Sequence, residues 1–204
     1  MAARIISTLA FLSLLTFIQA ADPNCEDLTK PLVLEDDYSS IMGKWIFTEG
    51  IANHELFKNM LKIVNSSWLE FAPSSLKDTI IFKQGNKRYG ICFLENINAT
   101  VKNSTLFASD KHSASEGTFL PSCPECLTIS FTHQARNESI NSLFLLTKSP
   151  KVSESEKDLY WKQAVCLGFK KEPQFSYDGV TELCKDDQIS SPTEQTKPED
   201  KKED

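Results

Sequence analysis

The residues of this chain that could carry chemistry are a closely spaced cysteine pair and three histidines. Cys123-Pro-Glu-Cys126 has the spacing of thiol–disulfide exchange motifs, which depend on a helix N-terminus to lower the thiol pKa. Here the pair precedes an apparent strand at 127–131 with no helical pattern after it. Zinc would need two further ligands nearby. The histidines stand alone in the sequence: His54, His112 and His133. We therefore predict a structural disulfide, no enzyme, and neither a metal site nor a cofactor.

The N-terminus indicates the compartment. Arg4 followed by a short apolar run and Ala20-Ala21 is typical of a cleaved secretory signal over residues 1–20. The run is shorter than the roughly 20 residues of a membrane span, so we expect no stable membrane insertion. Six cysteines in an oxidising compartment indicate disulfides, although the sequence alone does not choose their pairing. Four glycosylation sequons point the same way: Asn65, Asn98, Asn103 and Asn137.

The charge of the chain excludes some partners. The formal net charge is −6, and no basic stripe is present, which argues against nucleic acid and anionic membranes. Residues 186–204 are acidic and almost without aliphatic side chains, so we expect a disordered tail. The remaining residues, 21–185, suit one domain. We expect a monomer.

Between the first and last candidate strands, residues 43–147, the sequence has the pattern of short strands separated by polar turns. Turn residues are expected at 84–86, 96–98, 109–111 and 135–137. A short helix or lid is predicted over 54–62, where apolar residues recur at helical spacing. The eight candidate strands are 43–51, 64–71, 79–83, 88–97, 100–107, 117–120, 127–133 and 143–147.

One amphipathic helix follows the strands. Ser153 and Glu156 fit a capping box at its start, and Gly168 is placed to end it. The expected apolar stripe is Tyr160, Trp161, Ala164, Val165 and Leu167. The pattern predicts an all-β fold, an eight-stranded antiparallel up-and-down barrel with this helix packed outside. Such a barrel can hold one small ligand.

With Gly43-Lys44-Trp45 at the start of the first strand, these features resemble the lipocalins over nearly all of residues 25–184. Within that family the chain resembles the branch of alpha-1-acid glycoprotein (orosomucoid) and apolipoprotein M. The stretches that begin at Cys25, Cys123 and Cys166 are similar to those of fish saxitoxin- and tetrodotoxin-binding members. Lys148 replaces the arginine usual after the last strand. We expect its aliphatic stem to pack beneath Trp45.

The resemblance implies two disulfides, Cys25–Cys166 and Cys92–Cys184, which leaves Cys123 to pair with Cys126. If Cys92 bonds to a segment outside the barrel, strand alternation sends a set of neighbouring residues inward. A second inward set is expected on the seventh strand, and Trp45 and Trp68 are added as wall residues. The predicted ligand-binding residues on these two strands are Tyr89, Ile91, Phe93, Glu95, Ile97, Leu127, Ile129 and Phe131. The alternative is that they merely fill a core.

Glu95 gives the sharpest hypothesis. A carboxylate in an apolar cavity would favour ligands that carry ammonium or guanidinium, whereas a carboxylate at the rim would be solvated and idle. The resemblance implies a secreted plasma carrier of small hydrophobic or amphipathic molecules. Alternatives are a lipid carrier on lipoprotein particles, an acute-phase immune-modulating glycoprotein and, less favoured, a thiol-dependent isomerase.

Overall fold

The computed structural model describes residues 24–109, 113–135 and 138–186. The predicted signal, His112, Asn137 and nearly all of the predicted tail lie outside these residues. The elements in chain order are α1 (Cys25–Thr29), a 3-10 turn (Ser39–Ile41), β1 (Gly43–Ala52), α2 (Glu55–Lys62), β2 (Val64–Pro73), β3 (Thr79–Arg88), β4 (Ile91–Lys102), β5 (Thr105–Ser109), β6 (Ser113–Leu120), β7 (Cys126–Ala135), β8 (Glu138–Thr147), α3 (Glu154–Cys166) and β9 (Phe175–Ser176).

The sheet is a closed antiparallel barrel, which confirms the predicted fold class. Each strand from β2 to β8 pairs with the next one along the chain, and β1 closes the ring between β8 and β2. The β1–β2 ladder is short, from Gly43↔Phe71 to Ile46↔Trp68. Beyond it, β9 pairs with β1 through Glu49↔Ser176 and Gly50↔Phe175. A ninth strand therefore covers the part of β1 that β2 leaves free.

Aromatic and aliphatic side chains close one end of the barrel. We call this group the barrel floor, and it comprises Ile41, Trp45, Phe71, Phe119 and Ile129, all buried. The indole Nε1 of Trp45 donates to the carbonyl of Ile41 at 2.8 Å, so the one polar atom of that ring is satisfied. Because the floor is filled with packed side chains, a ligand is expected toward the opposite end of the barrel.

Lys148 contacts the floor through its ammonium group. Its Nζ lies 3.6 Å from the centroid of the Trp45 ring and donates to the carbonyls of Met42 and Lys44 at 3.3 and 3.1 Å. Burial of the ammonium lowers the pKa of Lys148. The predicted placement of Lys148 against Trp45 is confirmed, and the cation itself is attracted to the ring face.

Helix α3 packs on the outside of the barrel as predicted. Ser153 and Glu156 form the capping box, with both backbone amides satisfied, and Gly168 follows the helix with a φ of +80°. The buried side chains of α3 are Tyr160, Trp161, Gln163 and Ala164. Two members of the predicted stripe, Val165 and Leu167, are exposed instead, and Leu167 lies just beyond the end of the helix.

Two predicted turns lie inside strands. Residues 84–86 belong to β3 and residues 96–98 to β4. Gly85 is needed for close approach rather than for a turn, because a Cβ there would collide with the indole of Trp68. The predicted strand 100–107 is interrupted at Asn103 and Ser104, which have φ values of +50° and +59° and form the β4–β5 turn.

Three disulfides tie the elements together, with the pairing that the resemblance implies. Cys25–Cys166 joins α1 to the end of α3, and Cys92–Cys184 joins β4 to the C-terminal segment. Cys123–Cys126 closes a short loop before β7. Among the residues described, none of the helices has the length and apolar content needed to cross a membrane.

Candidate functional site: the barrel cavity

A cavity of about 350 Å³ lies above the floor, at the end of the barrel that the β3–β4 turn and α2 surround. Its apolar lining is Phe47, Phe57, Met60, Leu61, Val64, Leu69, Phe82, Ile97, Leu106, Ala108, Phe131 and Phe144. Its polar lining is Ser67, Gln84, Asn86, Arg88, Glu95, Ser115, His133 and Ser142. An apolar chamber with a few polar groups is the usual composition of a small-molecule site.

Helix α2 contributes to the mouth of this cavity. The Leu56 backbone amide donates to Nδ1 of His54 at 3.2 Å, which caps the helix, and His54 Nε2 lies 3.0 Å from Glu138 at the start of β8. Phe57 and Met60 then line the cavity. The predicted helix over 54–62 is confirmed, and its cap fixes it across the opening.

One side of the cavity carries two polar side-chain pairs, on β2, β3 and β4. The Ser67 hydroxyl donates to Oδ1 of Asn86 at 2.7 Å, and the Gln84 amide donates to the Glu95 carboxylate. Glu95 lines the cavity and is also exposed to solvent. Arg88 lies at the mouth with its guanidinium carbon 5.4 Å from the Phe93 ring centroid.

The other side carries a histidine. His133 on β7 faces Ser115 on β6, and the Ser115 hydroxyl lies 2.7 Å from His133 Nδ1. The ring of Phe57 packs near the imidazole, with a centroid distance of 5.4 Å.

No protein-family model matches the chain, but individual proteins do. It is 23% identical to alpha-1-acid glycoprotein of Oryctolagus cuniculus over 180 residues, which is 86% of this chain and 88% of that one. It is 28% identical to saxitoxin and tetrodotoxin-binding protein 2 of Takifugu pardalis over 80% of this chain, yet spans only 45% of the length of that relative. Two solved structures share the fold. The siderocalin Q83 has a TM-score of 0.61 at 15% identity over 74% of this chain and 96% of its own. A dog lipocalin allergen has a TM-score of 0.59 at 15% identity over 72% of this chain and 99% of its own.

The chain resembles the orosomucoid-like lipocalins in sequence and has the lipocalin fold. Its barrel encloses a cavity suited to one small molecule, and three disulfides are typical of extracellular proteins.

The predicted ligand-binding residues on β4 and β7, together with Trp45, lie at three heights along the barrel axis. Glu95, Ile97 and Phe131 line the cavity. Trp45, Leu127 and Ile129 lie below it, packed with the floor. Ile91 and Phe93 lie toward the exposed end of β4. The two strand parities inferred from the sequence are therefore those of the structure for the middle of each strand.

Two predicted wall residues lie elsewhere. Trp68 faces outward, because its neighbours Ser67 and Leu69 line the cavity and strand residues alternate. Its Nε1 donates to the Cys184 carbonyl at 2.7 Å. Tyr89 lies in the β3–β4 turn with a φ of +50° and is 76% exposed. The alternation on which its inward placement depended stops where the strand ends.

Several cavity residues could not be predicted from strand alternation or from a motif. Phe47 and Phe144 come from β1 and β8, whose apolar runs show no alternation, and they pack together with ring centroids 4.7 Å apart. Pairing Phe144 with Ile129, an inward residue of β7, would have given its parity. His133 stands alone in the sequence, because its partner Ser115 lies 18 residues away along the chain.

One cluster of possible metal ligands occurs within the described residues. Donor atoms of Cys123, Cys126 and Glu156 lie within 4.8 Å of one another. The two cysteines are joined in a disulfide, and the Glu156 carboxylate accepts from the backbone amide of Ser153 at 2.7 Å. The disulfide and the helix cap therefore already engage all three groups.

Proposed function

We propose that this lipocalin is a secreted plasma carrier that binds small hydrophobic or amphipathic molecules in its barrel, with a preference for cationic ones. The cavity carries this proposal, because its walls are mostly apolar and include a carboxylate at Glu95. At about 25 cal/mol per Å² of apolar area, burial of a few hundred Å² suffices for roughly micromolar affinity after the entropy of binding is subtracted.

The cationic preference rests on charge placement. Glu95 is a cavity-lining carboxylate whose partner, Gln84, is neutral. An ammonium or guanidinium group within reach of Glu95 would gain attraction that an uncharged ligand of the same shape would not. The names of the Takifugu relatives, which bind saxitoxin and tetrodotoxin, agree with a ligand of this kind.

Glycosylation and oxidised cysteines fit an extracellular carrier. Asn65, Asn98 and Asn103 are exposed, and we propose that they carry glycans together with Asn137. A thiol-dependent isomerase would need a free thiol, whereas all six cysteines of the chain are paired in the structure.

Two fluorescent probes of nearly equal shape test the proposal. Dansyl cadaverine carries a primary ammonium, and N-pentyl dansylamide is neutral. We expect both to bind, and Glu95→Gln to raise the Kd of the cationic probe about two- to fivefold, because Glu95 is partly solvated. The Kd of the neutral probe should not change. Glu116→Gln is the matched control, since Glu116 is an exposed carboxylate next to the inward residue Ser115.

Each result has a distinct meaning. If neither probe binds the native protein, the carrier function is wrong. If both bind and Glu95→Gln has no more effect than Glu116→Gln, the cavity binds ligands but the cationic preference is wrong.

A further inference from the structure

Four of the polar groups that line the cavity form two pairs, one on β3 and β4 and the other on β6 and β7. Gln84 and Glu95 lie on β3 and β4, whereas Ser115 and His133 lie on β6 and β7. In the order of the sheet, β3 and β7 are separated by three intervening strands of an eight-stranded ring. They therefore face each other across the cavity. The cationic preference proposed above uses the first set only.

The second set is built from a neighbouring pair on two strands. Ser115 and His133 are direct partners in the β6–β7 ladder, and the Ser115 hydroxyl engages Nδ1 of the imidazole at 2.7 Å. Both residues line the cavity. Within the described part of the chain, the other ring nitrogen, Nε2, makes no hydrogen bond.

The contact between Ser115 and Nδ1 determines whether Nε2 of His133 is a hydrogen-bond donor or acceptor. A neutral imidazole carries one proton, and the nitrogen that lacks it accepts a hydrogen bond. When the Ser115 hydroxyl donates to Nδ1, the proton resides on Nε2, which then donates toward the cavity. Phe57 from α2 packs near the same ring, with a centroid distance of 5.4 Å, and both side chains are half-buried. A ligand oxygen that reaches Nε2 therefore binds in a partly desolvated setting, where a hydrogen bond is stronger than in water.

We infer that His133, positioned by Ser115, is a second polar subsite whose Nε2 donates to an uncharged acceptor oxygen on the ligand. This inference rests on the proposed function, because it assigns a role within the same cavity. The ligand class is an aromatic or alicyclic body that bears a ketone, ester or amide oxygen on the side facing β7. A carboxylate is the poorer fit, because it would share the cavity with the Glu95 carboxylate, whereas the Arg88 guanidinium lies at the mouth beside Phe93.

A pair of naphthalene probes isolates the acceptor oxygen. Prodan is a dimethylaminonaphthalene with a propionyl ketone, and its emission moves to longer wavelength when the ketone accepts a hydrogen bond. The propyl analogue has nearly the same shape without the oxygen. We expect His133→Phe to raise the Kd of prodan about two- to twelvefold and to leave the Kd of the propyl analogue unchanged. The emission of bound prodan should move to shorter wavelength.

Three further variants separate a hydrogen bond from a change of shape. His133→Gln keeps an N–H donor and should restore part of both the affinity and the emission shift. Ser115→Ala should also weaken prodan binding, but less than His133→Phe does. Without the Ser115 hydroxyl, the imidazole proton can reside on either nitrogen, so Nε2 is a donor only part of the time. Gln134→Phe makes the same replacement on the exposed neighbour of His133 and should change nothing.

The outcomes distinguish this subsite from the cavity itself. If both probes bind the native protein and His133→Phe changes neither prodan affinity nor its emission, or changes both probes equally, the His133 subsite is wrong. If neither probe binds the native protein, the carrier function fails and this inference fails with it.

Discussion

At the scale of single residues, Lys148 shows how a family position can be filled differently. Lipocalins usually have arginine there, with a planar guanidinium that stacks on the indole and donates through a fork. In this chain the Lys148 ammonium faces the Trp45 ring and donates to two carbonyls. The same burial that brings it there lowers the pKa of Lys148, so desolvation offsets part of the attraction.

We expect Lys148→Met, which keeps the stem and removes the charge, to lower the free energy of unfolding by about 0.5–1 kcal/mol. The free energy of unfolding of Lys148→Arg should equal or exceed that of the native protein, because arginine can stack on Trp45 while it donates to both carbonyls. The midpoint of urea unfolding at constant slope measures both. A Met variant as stable as the native protein would show that the ammonium contributes nothing.

Residue parity was predictable where a strand continues and not where it ends. Cys92 fixed the outward face of β4, and Glu95 and Ile97 therefore face inward as expected. Tyr89 did not follow, because the chain turns at Tyr89 and Gly90. His133 was missed for another reason. Its partner Ser115 belongs to a neighbouring strand, and only the register of β6 against β7 brings the two together.

At the scale of elements, α2 was predictable as a helix, but its relation to the mouth was not. Apolar residues at helical spacing predicted the helix. The contact of His54 Nε2 with Glu138, which ties the start of α2 to β8, joins distant parts of the chain. Gly85 was misread as a turn for a similar reason. The Trp68 ring that requires a glycine lies on the adjacent strand.

Adjacent residues of α2 provide a test of its role at the mouth. Phe57 lines the cavity, whereas Leu56 is 60% exposed. We expect Phe57→Ala to raise the Kd of the propyl naphthalene probe about tenfold, which corresponds to a loss of roughly 50 Å² of apolar contact. Leu56→Ala should leave the Kd within about twofold of the native value. Equal effects of the two variants would mean that α2 does not contact the ligand.

At the scale of the whole molecule, the C-terminal segment completes the barrel wall. Where β1 and β2 separate, residues 174–184 run between them, and we call this segment the strap. Phe175 of the strap stacks on Phe47, a cavity residue, with ring centroids 4.5 Å apart. The Ser66 hydroxyl donates to the Glu182 carbonyl at 2.9 Å. This element was not predictable from the sequence, because β9 has only two residues and its pairing depends on a distant strand.

The two long-range disulfides should therefore differ in their effect on ligand binding. Cys92–Cys184 and Cys25–Cys166 join residues 92 and 141 positions apart, so the loop-closure estimate gives each about 4–5 kcal/mol of stabilisation. Only Cys92–Cys184 anchors the strap beside the cavity, whereas Cys25–Cys166 ties α1 to α3 outside the barrel. We expect Cys92→Ser with Cys184→Ser to lower both the thermal midpoint and the affinity for the naphthalene probe. Cys25→Ser with Cys166→Ser should lower the thermal midpoint and leave the affinity unchanged. Affinities are compared at a temperature where both double variants remain folded. Loss of affinity in both double variants would mean that the cavity depends on global stability, whereas loss in the first alone would identify the strap as part of the ligand-binding wall.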